Sequence, residues 1–106
     1  MVKVIWTQRS LNDLKDIIDY ISKDSPKYAS ITAERLIKAV EFLEDNPRMG
    51  RMVPEVGDED SFREIIYRNF RIIYQIASNQ IINILTIHHC AKNLSSNSLL
   101  KKRQKK

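Results

Sequence analysis

The sequence predicts an α+β fold: an antiparallel sheet of three to four strands with an N-terminal helical hairpin packed on one face. Apolar residues recur at helical spacing through the first half of the chain, whereas from position 62 onward they recur at every second position. A short apolar run before the helices supplies one more strand, which we expect to join the same sheet. The predicted order is therefore β-α-α-β-β-β, in a single domain of ordinary globular composition.

The first two elements occupy residues 2–24. Residues 2–6 are rich in β-branched and aromatic side chains and predict a strand. Thr7 or Ser10 then offers a helix N-cap. The apolar face that follows consists of Leu11, Leu14, Ile17, Ile18 and Ile21. We expect this helix to end near Asp24, because Pro26 disfavours a helical conformation at the residue before it.

A second helix begins at the same proline. Ser25 is a good N-cap, and Pro26 suits the first helical position because its missing N–H group has no partner there. The second apolar stripe consists of Ala29, Ala33, Leu36, Ile37, Val40 and Leu43. Asn46-Pro47 ends the helix. Because the connection between the two helices is so short, they should lie antiparallel as a hairpin.

A loop at residues 47–61, which contains prolines, glycines and an acidic run, precedes the remaining strands. The predicted strands are Phe62 to Tyr67, Phe70 to Ala77 and Gln80 to His88. Arg68-Asn69 and Ser78-Asn79 are the predicted turns, since asparagine tolerates positive φ. Strands joined by such short links form an antiparallel meander.

The charge of the chain is unevenly distributed. Its net charge is +5, but five basic residues lie within positions 101–106, so the rest of the chain is balanced. Within that remainder, the stretch from 61 to 100 has Glu64 as its only acidic residue. The basic residues of this stretch are Arg63, Arg68, Arg71 and Lys92. Because a basic patch attracts nucleic acid or an acidic partner, these four are the candidate target- or nucleic-acid-binding residues.

The sequence also indicates a compartment. Cys90 is the only cysteine, which excludes an internal disulfide and fits a reducing environment; we expect it to be a small buried or half-buried thiol. The N-terminus has no hydrophobic stretch suited to a signal peptide, and no apolar run approaches the ~18 residues of a membrane span. We therefore expect a cytoplasmic protein with no membrane partner.

The arginines near the first predicted turn form the main candidate site. Arg63 and Arg71 lie on neighbouring strands and Arg68 lies between them, so a hairpin can bring all three to one anion. The interleaved aromatic residues are Tyr67, Phe70 and Tyr74. Arginine with aromatic neighbours suits phosphate binding and base stacking. The alternative is a solvated strand face in which one arginine pairs with Glu64.

A second interpretation is catalytic. His88 or His89 could act as a general acid or base near neutral pH. Together with Tyr74 and Arg71, either could support metal-free cleavage of RNA by its own 2′-hydroxyl. Adjacent histidines on a regular strand point to opposite faces, and no metal-binding motif accompanies them, so we expect neither a metal nor a cofactor.

An ordered series of residues resembles the ParE/RelE superfamily of bacterial toxins. The series is Trp6-Thr7, Asp13-Leu14, Ile17, Tyr20-Ile21, Asn46-Pro47, Gly50, Arg63-Glu64-Ile65, Phe70-Arg71-Ile72-Ile73-Tyr74 and Ile84-Leu85 through His88. The likeness runs from Val2 to about Lys92. It divides the chain into a toxin domain at 1–92 and a basic C-terminal tail at 93–106.

The resemblance implies the toxin of a type II toxin–antitoxin pair, which a cognate antitoxin protein holds inactive. ParE-like members of the superfamily poison DNA gyrase, whereas RelE-like members cleave messenger RNA on the ribosome. The ribonuclease branch typically carries two basic residues on the strand before the hairpin and an arginine after it. Arg71 matches that arginine, but Glu64 and Ile65 stand where the second basic residue would be expected, and His88 and His89 stand where arginine is frequent.

These departures favour a gyrase poison that acts by binding, with Arg63, Arg68, Arg71 and Lys92 as contact residues. The alternative is a metal-independent endoribonuclease that acts on the ribosome and its messenger RNA. Its candidate catalytic residues are Arg63, Arg71, Tyr74, His88 and His89. A third hypothesis is an inactive module that keeps only the surface for the antitoxin.

Overall fold

The computed structural model describes residues 1–57 and 59–90. Its elements are β1 (Lys3–Trp6), α1 (Gln8–Ser22), α2 (Pro26–Glu41), β2 (Arg51–Met52), β3 (Phe62–Tyr67), β4 (Phe70–Ser78) and β5 (Ile81–His89), with two short 3₁₀ helices at Phe42–Glu44 and Pro54–Val56. Lys92 and the predicted tail at 93–106 lie outside the described residues. None of the described helices is both long and apolar enough to cross a lipid bilayer.

Both helices begin at predicted caps. The Thr7 hydroxyl oxygen accepts a hydrogen bond from the backbone N–H of Ser10 at 3.1 Å, so Thr7 is the N-cap of α1. The same hydroxyl donates to the carbonyl of Ile84 at 2.6 Å, which ties the start of α1 to β5. At α2 the Ser25 hydroxyl accepts from the Tyr28 N–H at 3.0 Å, with Pro26 in the first turn.

The sheet has five strands in the order β1-β5-β4-β3-β2, one more than predicted. Strands β3, β4 and β5 form the antiparallel meander, but β1 runs parallel to β5. The additional strand β2 lies in the predicted loop and pairs Arg51 with Glu64 and Met52 with Arg63. Two residues carry no detectable alternation, which is why the sequence pattern did not indicate this strand.

The two tight turns differ in detail from their predicted form. Strand β3 has the predicted bounds, whereas β4 extends to Ser78, so that the second turn is Asn79-Gln80. At the first turn the positive φ, 53°, belongs to Arg68 and not to the asparagine beside it. The predicted role of asparagine in this turn is therefore wrong.

The helical hairpin packs on one face of the sheet, which confirms the predicted architecture. The core residues that the two layers share are Leu14, Ile17, Leu36, Val40, Leu43, Phe70, Ile72, Tyr74, Ile82, Ile84 and Ile87. The helical hairpin does not cover the opposite face of the sheet, on which Ile66 is 53% exposed. Cys90 is exposed, in contrast to the predicted half-buried thiol.

Candidate functional site

Arg71 lies on the open face of the sheet in contact with two carboxylates. Its Nη1 atom donates to Glu55 Oε2 at 2.8 Å, its Nη2 atom donates to the other oxygen of Glu55, and its Nε atom donates to Glu64. The hydrogen bond from Arg71 is the main reason why the pKa of Glu55 falls from 4.5 to about 2. The fork of the guanidinium is thus occupied by carboxylate oxygens, in the manner in which it would hold a phosphate.

Glu64 is the centre of this arrangement, which we call the open-face cluster: Arg51, Glu55, Glu64 and Arg71. The carboxylate of Glu64 is fully buried and accepts from Nε of Arg51 as well as from Arg71. The two positive and two negative charges of the cluster therefore balance one another around the buried carboxylate of Glu64. The prediction that one arginine pairs with Glu64 is confirmed, and in this structure carboxylate oxygens hold the guanidinium of Arg71.

The guanidinium of Arg63 donates hydrogen bonds to main-chain carbonyls of the loop that follows α2. Its Nη1 atom donates to the carbonyl of Gly50 at 2.9 Å, and its Nε atom donates to the carbonyl of Asp60 at 3.0 Å. The side chain is only 15% exposed. Arg63 therefore holds the loop at residues 47–61 against β3, and it does not converge with Arg68 and Arg71 on one anion.

Tyr74 is fully buried on the helix-covered face. Its hydroxyl donates to the carbonyl of Pro47 at 2.9 Å and accepts from the N–H of Gly50 at 3.0 Å. Burial, which outweighs the hydrogen bond with Gly50, raises the pKa of the phenol. The hydroxyl thus makes both of its hydrogen bonds inside the protein, and a catalytic role for Tyr74 stays a prediction.

The two histidines lie on opposite faces of the sheet, as predicted. His88 pairs with Arg71 on the open face, and His89 pairs with Phe70 on the other face. The ring of His89 stacks on Phe70 with a centroid distance of 4.6 Å and meets the edge of Tyr20 at 5.5 Å. The candidate catalytic residues are thus divided by the sheet: Arg71 and His88 lie on one side, and Arg63, Tyr74 and His89 lie on the other.

Arg68 is the one predicted arginine of β3, β4 and their turn that stays accessible. It is exposed, its Nε atom donates to the Tyr67 hydroxyl at 3.3 Å, and its guanidinium lies 5.7 Å from the centre of the Tyr67 ring. It borders a concave region of about 420 Å³ at one end of the molecule, which we call the end groove. The residues that line the end groove are Ile21, Tyr28, Arg68, Asn69, Phe70 and His89.

Two residues of α2 complete this end of the molecule and were not predicted. Tyr28 contributes an exposed ring to the end groove. Interactions with Arg68 and then with Arg35 lower the pKa of Tyr67, so both cations lie beside the same phenol. Tyr28 and Arg35 are seven positions apart and share one face of α2, a spacing that could have indicated an exposed aromatic–cationic pair.

Comparisons with known proteins agree with the fold. A family model described as the ParE toxin of the type II toxin–antitoxin system parDE matches residues 4–94. Toxin RelE2 of Caulobacter vibrioides is 33% identical over 92 residues, which cover 87% of this chain and 99% of that protein. Toxin Y4kP of Sinorhizobium fredii is 32% identical over 87 residues, which cover 82% and 86% of the two chains.

A solved structure gives the same result at the level of the fold. The chromosomal ParDE system from P. aeruginosa contains a chain that superposes with a TM-score of 0.67 and 23% sequence identity. The match covers 84% of this chain and 96% of that one. The order of helices and sheet is therefore shared over nearly the whole of the matched chain.

Proposed function

The chain belongs to the ParE toxin family of type II toxin–antitoxin systems, and we propose that it inhibits bacterial growth by binding and poisoning DNA gyrase. A poison of this kind needs no reaction of its own. It binds one state of its target, a cleaved enzyme–DNA intermediate, more tightly than the others and so raises the population of that state. The residues required are those of a binding surface.

The division of the candidate catalytic residues by the sheet carries this proposal. Cleavage of RNA by its own 2′-hydroxyl requires a proton acceptor, a proton donor and a cation at one phosphate. Here Tyr74 is buried with both of its hydrogen bonds made inside the protein, and Arg71 is held by Glu55 and Glu64. Such an arrangement favours a binding mode of action over the ribonuclease mode.

The proposed function includes a cognate antitoxin as the partner that neutralises the toxin. In a type II system this partner is a small protein encoded beside the toxin. We expect the adjacent open reading frame to encode a DNA-binding N-terminal half and an acidic, amphipathic C-terminal half. Co-expression of that reading frame should restore growth and should yield a complex that co-purifies with the toxin.

The alternative function is that of a metal-independent endoribonuclease that cleaves messenger RNA on the ribosome. It is supported by the name of the relative RelE2, and by the pairing of His88 with Arg71 on the open face. In this case His88 would accept the proton of the 2′-hydroxyl as its oxygen attacks the phosphorus, and Arg71 would stabilise the developing charge on the phosphate. The bond to the 5′-oxygen would break, and that oxygen would take a proton from water. Arg71 would first have to exchange Glu55 for the phosphate.

One paired assay tests both functions. Purified toxin is incubated with gyrase, supercoiled plasmid and ATP, and linear DNA is measured after detergent and protease treatment; a reaction without gyrase is the control. In parallel, the toxin is added to ribosomes that carry a defined message, and primer extension maps any cuts. We expect toxin-dependent linear plasmid and an intact message. Cuts at fixed codon positions that disappear in His88→Gln, together with no linear plasmid, would reverse the proposal.

A further inference from the structure

The end groove has positive charge that is not paired with any carboxylate in residues 1–57 and 59–90. Of the seven arginines in the described residues, five form ion pairs with carboxylates: Arg9, Arg48, Arg51, Arg63 and Arg71. Arg35 and Arg68 form none with any residue of 1–57 or 59–90, and both are exposed. Arg68 lines the groove, and Arg35 lies seven positions after Tyr28 on the same face of α2, where it interacts with the Tyr67 phenol that Arg68 also contacts.

Aromatic rings form much of the wall of the same groove. Tyr28 is 50% exposed, and Phe70 and His89 form a stacked pair beneath the opening. The volume of about 420 Å³ falls in the range of about 300–1,000 Å³ that is typical of small-ligand sites. An exposed phenol next to uncompensated guanidinium groups is the combination with which proteins bind a base and its phosphate.

The position of Arg68 follows from the β3–β4 hairpin. Tyr67 pairs with Phe70, so Arg68 is the first residue of a two-residue loop, and the favoured turns of such loops have positive φ at this residue, here 53°. The turn therefore places Arg68 at the tip of the hairpin, where it borders the end groove.

We propose that the end groove binds single-stranded DNA, with a base on the ring of Tyr28 and the adjacent phosphates on Arg68 and Arg35. The choice of DNA over RNA rests on the proposed function, because gyrase acts on DNA. The choice of a single strand rests on the groove, because only an unpaired base can stack on the exposed ring of Tyr28. The stacking surface and the two cations are features of the groove itself and do not depend on gyrase as the target. A toxin with this site contacts the nucleic acid of its target complex as well as the target enzyme.

Binding is measured with the full chain and a fluorescein-labelled oligothymidylate of about twelve nucleotides, a length within the usual footprint of single-strand sites. Fluorescence anisotropy is recorded over a series of salt concentrations. Three further probes are compared: an abasic strand of equal length, a duplex of equal length and an oligouridylate. We expect the abasic strand and the duplex to bind at least about fivefold more weakly, since each stacked base contributes that much or more.

Three variants test the residues themselves. Tyr28→Ala should weaken oligothymidylate binding at least about fivefold at constant salt. Arg68→Gln and Arg35→Gln should each reduce the slope of log K against log salt by about 0.7, the value for one phosphate contact on a single strand. Lys38→Gln removes one charge from an exposed residue of α2 that does not line the groove and pairs with Glu34, and it is the control.

All four substituted side chains are exposed, so thermal unfolding of the variants should match that of the original protein. The basic residues at 101–106 are the same in every variant and add the same amount to each slope. Equal binding by Tyr28→Ala, Arg68→Gln and the original chain would overturn the proposal, as would equal affinity for the abasic strand. Oligouridylate bound tenfold more tightly than oligothymidylate would overturn the preference for DNA.

The gyrase assay with the same variants separates this inference from the proposed function. Linear plasmid formed by a toxin that binds no oligothymidylate would overturn the end-groove site alone. Oligothymidylate bound by a toxin that forms no linear plasmid would leave the end-groove site in place and count against gyrase as the target. Loss of both activities in Tyr28→Ala and Arg68→Gln, with both retained in Lys38→Gln, is the result that we expect.

Discussion

The backbone N–H of Gly50 donates a hydrogen bond to the hydroxyl oxygen of Tyr74 at 3.0 Å, although the two residues lie 24 positions apart. The same hydroxyl donates to the carbonyl of Pro47. These two contacts close the loop at residues 47–61 over the edge of the sheet, beside the place where Arg63 donates to the carbonyl of Gly50. A side chain that suggested catalysis in the sequence thus holds the architecture together.

Substitution of Tyr74 by Phe should therefore lower stability. The change removes the hydroxyl and leaves the N–H of Gly50 and the carbonyl of Pro47 without their partner, at a cost of about 1–3 kcal/mol in the free energy of unfolding. Urea denaturation followed by circular dichroism measures the loss, and Tyr28→Phe, at an exposed ring, is the control. An unfolding midpoint for Tyr74→Phe equal to that of the control would contradict the structural role.

Substitution of Gly50 by Ala tests the same contact from the other side. A Cβ atom at this position would lie 2.7 Å from the carbonyl oxygen of Glu64 and 2.7 Å from the Tyr74 hydroxyl, closer than real contacts allow. We expect a loss of about 1–3 kcal/mol, because one of the two neighbours is backbone and cannot rotate away.

Gly57→Ala shows the cost of backbone strain without a clash. A Cβ atom there meets nothing within 4 Å, but φ of 67° with ψ of −123° is a combination that only glycine adopts readily, at a cost of about 1–3 kcal/mol. Gly50 has no positive φ, so a loss of stability in Gly50→Ala comes from the close approach. A urea midpoint for Gly50→Ala equal to that of the original protein would mean that the loop does not approach Tyr74 as described.

The sequence predicted the fold well because regular periodicity dominates its main elements. Phe70, Ile72, Tyr74 and Ile76 lie at every second position, and all four are in β4. Ser25 and Pro26 are a local signal for a helix start, and α2 starts there. Alternation also placed Tyr74 on the same face as Phe70, so that its burial, though not its loop partners, follows from the pattern.

The candidate site was less predictable because its partners come from aperiodic segments. Glu55 lies in a 3₁₀ turn, 16 positions from the Arg71 that it contacts, and no local pattern relates the two. The same holds for Tyr28 and Arg68, which meet only because the hairpin of helices packs beside the β3–β4 turn. Contacts of this kind depend on tertiary packing, which a propensity or a period does not encode.

The ion pair between Arg71 and Glu55 predicts a pH dependence of stability. The pKa of Glu55 is about 2 in the folded protein against an ordinary value of 4.5, so between these values the unfolded chain binds more protons. Stability from this pair is complete above about pH 4.5 and is lost as the pH falls toward 2. We expect the urea midpoint to fall more steeply with acid in the original protein than in Glu55→Gln.

The control for this pH series is Glu41→Gln. Glu41 is exposed and forms no ion pair with any other residue in the described ranges. Its substitution should leave the fall of the urea midpoint with decreasing pH below 4.5 the same as in the original protein. Identical slopes for Glu55→Gln and the original protein would mean that Arg71 and Glu55 do not pair in solution, which would free the guanidinium for an external anion.

Asp13 links α1 to β5, although more than 70 positions separate it from its partners on that strand. Its Oδ2 atom accepts from the Thr86 hydroxyl at 2.6 Å and from the Ile87 N–H at 3.0 Å. Burial raises the pKa of Asp13. The hydrogen bonds from Thr86, Ile87 and Arg9 lower it by more than burial raises it, so the pKa lies below its ordinary value of 3.8. The ionised form is therefore the one that the fold stabilises.

Asp13→Ala should lower the free energy of unfolding by about 1–3 kcal/mol, since the partly buried N–H of Ile87 loses its acceptor. Asp16 lies three residues further along α1 and is exposed. Asp16→Ala removes an equal charge and should have little effect on the free energy of unfolding. A double-mutant cycle with Thr86→Val isolates the coupling between the two side chains, which we expect to exceed about 0.5 kcal/mol. Equal urea midpoints for Asp13→Ala and Asp16→Ala would show that charge alone, and not this link between helix and strand, accounts for the loss.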